Sequence, residues 1–164
     1  MRSFGFPYGR LAAVAAMMPP VMATMVLAAL LATPVPASAL CMHKERANLR
    51  SGPGTSHGKT WEVYRYMPLR ETGSRGGWYH VEDLDGETHW ILGSLATSKF
   101  RCAVVKGEEA KIRTGPGTDH PELAYSPLLR YATFKVLGEL GGWVEVEDSF
   151  GDKGWIYRPL LWIQ

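Results

Sequence analysis

The sequence predicts an all-β protein made of two small barrels in tandem behind an export leader. Three observations predict it. A block of the chain occurs twice, and each copy alternates apolar and polar residues with a period of two. Glycine and proline number 18 and 11 among 164 residues, which suits short strands and frequent turns better than long helices.

The repeat comes first in the argument. ANLRSGPGTSH at 47–57 aligns with AKIRTGPGTDH at 110–120, an offset of 63. GGWYHVEDLDGETHWILGSL at 76–95 aligns with GGWVEVEDSFGDKGWIYRPL at 141–160, an offset of 65 shared by Arg65-Tyr66 and Arg130-Tyr131. The second copy thus carries two extra residues between His120 and Arg130. Two copies are too few for a solenoid, so each must close a core of its own. Almost no linker lies between Leu95 and Phe100, so the two units are expected to touch in a fixed arrangement. The boundaries read from this are 1–39 for the leader, 40–97 for barrel one and 98–164 for barrel two.

The leader has Arg2 and Arg10, no acidic residue, an apolar run ending in VMATMVLAALLA, and Ala37-Ser38-Ala39 as an A-x-A cleavage site. That is the pattern of a secretory signal peptide. Pro19-Pro20 interrupts the run and leaves too few apolar residues to span a bilayer comfortably. Leu40 is too large for the small residue that precedes a lipidated cysteine, so cleavage is favoured over lipidation of Cys41. Of 18 Lys+Arg and 16 Asp+Glu, cleavage after Ala39 removes two arginines and leaves 16 of each sign. A neutral mature chain gives no global electrostatic support for a nucleic-acid or membrane partner. Its two cysteines, Cys41 and Cys102, are expected to pair in an oxidising compartment. Closing a loop of about sixty residues is worth roughly 4 kcal/mol on the chain-entropy account.

Within each copy the strands follow in order. Residues 41–50 and 101–113 contain opening strands, and 61–66 and 134–137 supply others. After Gly76-Gly77, Tyr79 and Val81 share a core face against Trp78, His80 and Glu82. After Gly141-Gly142, Val144 and Val146 face away from Trp143, Glu145 and Glu147. Asp85-Gly86 reads as a tight turn into 87–92, and Phe150-Gly151-Asp152 plays that part in copy two. No segment has a helical period with caps.

In this order — N-x-R-S-G-P, an aromatic strand, G-W-Y-x-V, then D-G-x-x-x-W-I — the residues resemble the bacterial SH3 (SH3b) family. Its units typically read NVRSGPS, GW(Y)KV and GxxGWV. The nearest subgroup is the small exported tandem SH3-like proteins of proteobacteria. Copy one departs at His89, where the family has glycine before tryptophan; copy two keeps Gly154-Trp155. The resemblance implies a five- or six-stranded SH3-like barrel per copy, binding to peptidoglycan or its peptides, or the positioning of a neighbouring hydrolase.

The chemistry is read against that. Pro53 and Pro116 have no N–H to donate and no helix follows, so the Gly-Pro-Gly loops are turns rather than phosphate cradles. In them glycine is expected to supply a positive φ. Arg50 and Arg113 recur in step with Glu82-Asp83 and Glu147-Asp148, which suggests a structural arginine–carboxylate pair in each barrel. His57 and His120 recur at the loop tips, as ligand-binding candidates or as hydrogen-bond partners within their own loops. Neither they nor the cysteines have the spacing of a metal site or a thiol protease, and no cofactor is implied. Trp78 and Trp143 point away from the core and need a cover: a loop, the other barrel or a ligand. Trp61, Tyr64 and Tyr66 could extend that aromatic surface in copy one. The resulting expectation is a non-enzymatic binding module of the periplasm or cell envelope. Its partner would be peptidoglycan or an envelope protein or peptide. The rivals are an accessory subunit of a cell-wall hydrolase and a weak hydrolase itself.

Overall fold

Period-two alternation becomes strand in both copies, and the apolar phase turns inward. The structure, a computed structural model, describes residues 38–164; the leader up to residue 37 lies outside the described residues. Copy one forms β1 (Ala39–Met42), β2 (Arg46–Arg50), β3 (Lys59–Tyr64), β4 (Pro68–Arg75), β5 (Trp78–Glu82), β6 (Thr88–Leu92) and β7 (Ala96–Thr97). Copy two forms β8 (Cys102–Val105), β9 (Glu109–Ala110), β10 (Ile112–Arg113), β11 (Leu128–Leu129), β12 (Thr133–Leu140), β13 (Trp143–Glu147), β14 (Lys153–Tyr157) and β15 (Leu161–Ile163). A single 3-10 turn precedes the last strand of each copy, at Gly93–Leu95 and Arg158–Leu160.

The pairing is antiparallel throughout and repeats. The first sheet runs β3-β2-β6-β5-β4-β1-β7, and the second β10-β14-β13-β12-β8-β15, with β9 and β11 paired apart from it. Val81 and Ile91 of the first sheet, and Val144, Val146 and Ile156 of the second, are fully buried. The central hairpins turn on Gly76-Gly77 and Gly141-Gly142, all four with φ between 56° and 84°, as a tight two-residue turn demands. Both long strands bulge at the same place, between Glu71 and Gly73 and between Val136 and Gly138. The bulge adds twist and helps each sheet curl over its own core.

The two barrels dock. Val104 of β8 is buried within the first core, and Trp162 packs against it. Cys41 on β1 and Cys102 on β8 form a disulfide with Cα atoms 5.8 Å apart. Tyr66 and Tyr131, equivalent in the repeat, both sit at positive φ, 68° and 70°, a conformation costing an L side chain roughly 1–2 kcal/mol. Each ring then reaches across the junction. Tyr66 meets Phe100 edge-on with centroids 5.7 Å apart, and Tyr131 meets Trp61 edge-on at 5.4 Å. The Thr133 hydroxyl donates to the Arg65 carbonyl at 2.7 Å.

Candidate functional site

The repeated Gly-Pro-Gly loop is closed from inside. A Cβ on Gly52 would lie 2.5 Å from the His57 ring, and one on Gly115 would lie 2.5 Å from the His120 ring. Neither glycine has a positive φ; those values fall at the hairpin glycines instead. The expectation that these loops use glycine for its backbone freedom is therefore corrected: the first glycine is there because an imidazole lies on it. The loop is pinned again by Arg50, whose Nη1 donates to the His57 carbonyl at 2.7 Å; Arg113 does the same to His120 at 2.7 Å.

That geometry also corrects the proposed arginine–carboxylate pairs. Arg50 makes no bond to Glu82 or Asp83, and the carboxylate that Arg113 meets is Glu122, 3.5 Å from its Nη2, rather than Glu147 or Asp148. Glu82 is bridged by Arg70, and Glu147 lies 4.0 Å from Lys153. Asp83 and Asp148 instead organise the following hairpin. Oδ1 of Asp83 accepts the amides of Asp85 and Glu87, both at 2.9 Å; Oδ1 of Asp148 accepts those of Phe150 and Asp152 at 2.8 and 3.0 Å. Short aspartate side chains satisfy turn amides in this way because the backbone there has no other partner.

The aromatic candidates separate. Trp78 borders a shallow depression of about 400 Å³ beside Gly76-Gly77 and Gly93. Trp143 lines a groove of about 620 Å³ with Tyr157, Lys111, Arg113 and Asp119, its ring 5.5 Å from that of Tyr157. Tyr66 stays at the barrel junction, and His57 and His120 stay on their glycines. Trp61 and Tyr64 alone come together, along β3, in a larger groove of about 710 Å³. Tyr131 and Thr133 of the second barrel also line it, with the buried Asp83 and His89 and the exposed Asp85 and Glu87. Tyr64 is 58% exposed there.

A polar chain opens into this groove. Asp83 and His89 are 5% and 8% exposed. Oδ2 of Asp83 lies 3.2 Å from His89 Nε2, and His89 Nδ1 lies 2.9 Å from the Thr60 hydroxyl. A carboxylate only accepts, so in the neutral imidazole Nε2 carries the proton and Nδ1 accepts from Thr60. The Thr60 oxygen keeps its lone pairs for the groove. At the rim, Asp85 accepts the Tyr131 hydroxyl and an Arg130 N–H across the junction. The Tyr131 bond, with Arg130 adding to it, holds the Asp85 carboxyl below its ordinary range.

Sequence reasoning named Trp61 and Tyr64 as ligand candidates and Asp83 only as an arginine's partner; it missed Thr60, Asp85, Glu87, His89 and Tyr131 as groove residues. His89 had a signal, since it breaks the repeat where copy two has Gly154. Tyr131 had none, because its contact with Trp61 exists only once the barrels dock.

Two family models described as bacterial SH3 domain match residues 45–96 and 106–162. The putative N-acetylmuramoyl-L-alanine amidase YrvJ of Bacillus subtilis is 27% identical over 125 residues, covering 68% of this chain and 23% of the amidase. Among solved structures, an NlpC/P60 family protein from Bacillus cereus aligns with TM-score 0.37 and 12% identity, over 77% of this chain and 56% of that one. NlpC2 from Trichomonas vaginalis aligns with TM-score 0.33 and 17% identity, over 77% and 48%. The chain thus spans about a quarter of the curated relative and about half of each solved chain. With both sheets matched in turn, the chain belongs to the bacterial SH3 domain family and carries two of its domains in tandem.

Proposed function

We propose that this protein is an exported, non-enzymatic binding module of the cell envelope, and that the groove between β3 and the second barrel takes peptidoglycan peptide. The observation that carries this reading is the groove itself: an open concavity of about 710 Å³ with aromatic walls and a few fixed polar groups at a domain junction, the usual setting of a binding site. The partial likeness to an amidase named for a cell-wall bond supports the same ligand class. The disulfide between the barrels fits an oxidising compartment, reached through a cleaved leader.

Co-sedimentation with purified sacculi tests it. The intact protein pellets with sacculi, and Trp61→Ala lowers the bound fraction several-fold while keeping its circular dichroism. Binding no greater than that of heat-denatured protein would sink the reading. Release of soluble wall fragments by the pure protein would favour the hydrolase instead.

A further inference from the structure

The groove runs along an open sheet edge. β3 ends the order of the first sheet and pairs only with β2. The Arg65 amide bonds to the Glu45 carbonyl, so in this antiparallel ladder the hydrogen-bonded pairs are Glu45–Arg65, Ala47–Val63 and Leu49–Trp61. Glu62 falls in a pair that is not hydrogen-bonded. Its N–H and C=O therefore point away from β2, into the side where five consecutive β3 residues line the groove. An edge of this kind is a template for one more extended segment.

Charge says which segment. Four lining residues are carboxylates, Glu62, Asp83, Asp85 and Glu87, and none is Lys or Arg. Lys59 and Arg46 offset Glu62 from outside, and Arg130 offsets Asp85. Asp83 faces only His89 and turn amides, and Glu87 has no ion-pair partner among the described residues. The Thr60 oxygen adds an open acceptor and Trp61 adds a ring that attracts cations, while the Tyr131 ring already carries Arg130, 4.9 Å from its centroid. Such a wall favours a donor-rich cation and disfavours an anion. The Trp143 groove differs, since its lining includes Lys111 and Arg113 as well as Glu109 and Asp119, with both cations paired to Glu122.

Resting on the reading of this groove as the binding site, we infer that its ligand is an extended peptide bearing a free primary ammonium. The peptide backbone pairs with Glu62 on the β3 edge, and the ammonium is held at Glu87. A volume of about 710 Å³ accommodates a few residues of such a chain.

The test uses the whole mature protein and a synthetic tetrapeptide with blocked termini and one lysine, against the same peptide with that lysine acetylated. The amine form binds, and acetylation or Glu87→Gln weakens it by roughly twofold to fivefold, as expected for an ion pair at an exposed carboxylate. Binding slows amide exchange at Glu62. Glu62→Pro, which spares the β2 ladder, removes binding, while Glu62→Gln retains most of it. Equal affinity for both peptides, or no affinity for either, overturns the inference. Sacculi with intact and acetylated amines separate it from the broader reading. Equal sedimentation with both leaves wall binding standing and removes the ammonium. Failure with both removes wall binding, and the peptide titration then decides the ammonium alone.

Discussion

The two repeats share a frame and differ in what fills the mouth of the barrel. In copy one, Leu49 pairs with Trp61 and the β6 position beneath is His89, whose ring stands 6.5 Å from the indole. In copy two, Ile112 accepts the Leu123 amide at 2.9 Å, and the β14 position beneath is Gly154. A Cβ there would fall 2.8 Å from Leu123 and 2.6 Å from Ile112. The longer connection of copy two lays Leu123 over the sheet and plugs it. Tyr125 of the same connection lies near Asp148, its phenol pushed up chiefly by burial and then by the Asp148 and Asp152 carboxylates. The aspartate of copy two caps its turn, whereas Asp83 caps its turn and also orients a histidine. A connection two residues longer and Gly154 in the place of His89 thus go with the plugged barrel, while the capping geometry is the same in both copies.

The largest effects come from exchanging the two mouths. Gly154→Ala drives a methyl into the buried Ile112 and Leu123, and overpacking of this kind costs about 1–3 kcal/mol. His89→Gly removes no packing conflict but leaves the buried Asp83 Oδ2 without its partner, a loss of about 1–3 kcal/mol of a different origin. Chemical denaturation of both variants checks the costs. The nature of each is read from rescue: Leu123→Ala relieves Gly154→Ala in part, the Ile112 contact at 2.6 Å remaining, and does nothing for His89→Gly. Rescue of both, or of neither, breaks the contrast drawn between the copies.

The glycine–histidine contacts sharpen the comparison from the other side, because here the copies agree. Gly52→Ala and Gly115→Ala meet the same ring at the same 2.5 Å, so both destabilise, Gly115→Ala the more because His120 is half-buried and His57 is exposed. Shortening the histidine in the same molecule makes room: His57→Ala restores Gly52→Ala, and His120→Ala restores Gly115→Ala. Thermal melts of the four variants decide this. A Gly52→Ala protein as stable as its parent would show that the ring is free to leave.

How far the sequence was legible follows from the range of each interaction. Val81, Val144 and Val146 were placed in the core by alternation, because a strand writes its burial into neighbouring residues. Gly76-Gly77 announced a turn for the same local reason. The Cys41–Cys102 bridge followed from counting, since two cysteines allow one pair. The partner of Arg50 was misread although the repeat carried a hint. Arg50 and His57 both recur at an offset of 63, whereas Asp83 recurs at 65, so the spacing to His57 is kept between the copies and the spacing to Asp83 is not. Of the groove, Trp61 and Tyr64 were legible as aromatic residues on a strand. Asp85 and Tyr131 were not, because their meeting depends on how two barrels dock across a junction that no local pattern encodes.

That junction yields the smallest effect and the one with a pH signature. The Tyr131 hydroxyl and then Arg130 hold the Asp85 carboxyl below its ordinary range in the folded protein. The ionised form is therefore the one that folding favours. Its contribution is fully present above the unfolded carboxylate value, near 4 on the general scale of about 3.9 for aspartate, and is lost as pH falls through the lower folded value. Asp85 and Arg130 are 37% and 36% exposed, so water and salt screen the pair and its worth stays small. Asp85→Asn therefore lowers stability slightly at neutral pH and flattens the loss of stability on acidification. The difference from the parent shrinks in high salt. Copy two has Phe150, 91% exposed, where copy one has Asp85, so Phe150→Ala leaves the acid limb unchanged. If Asp85→Asn left the acid limb as steep as in the parent, the barrels would be held by Tyr66, Tyr131, Val104 and the disulfide without electrostatic help. The open mouth of copy one would then owe its second wall to packing alone.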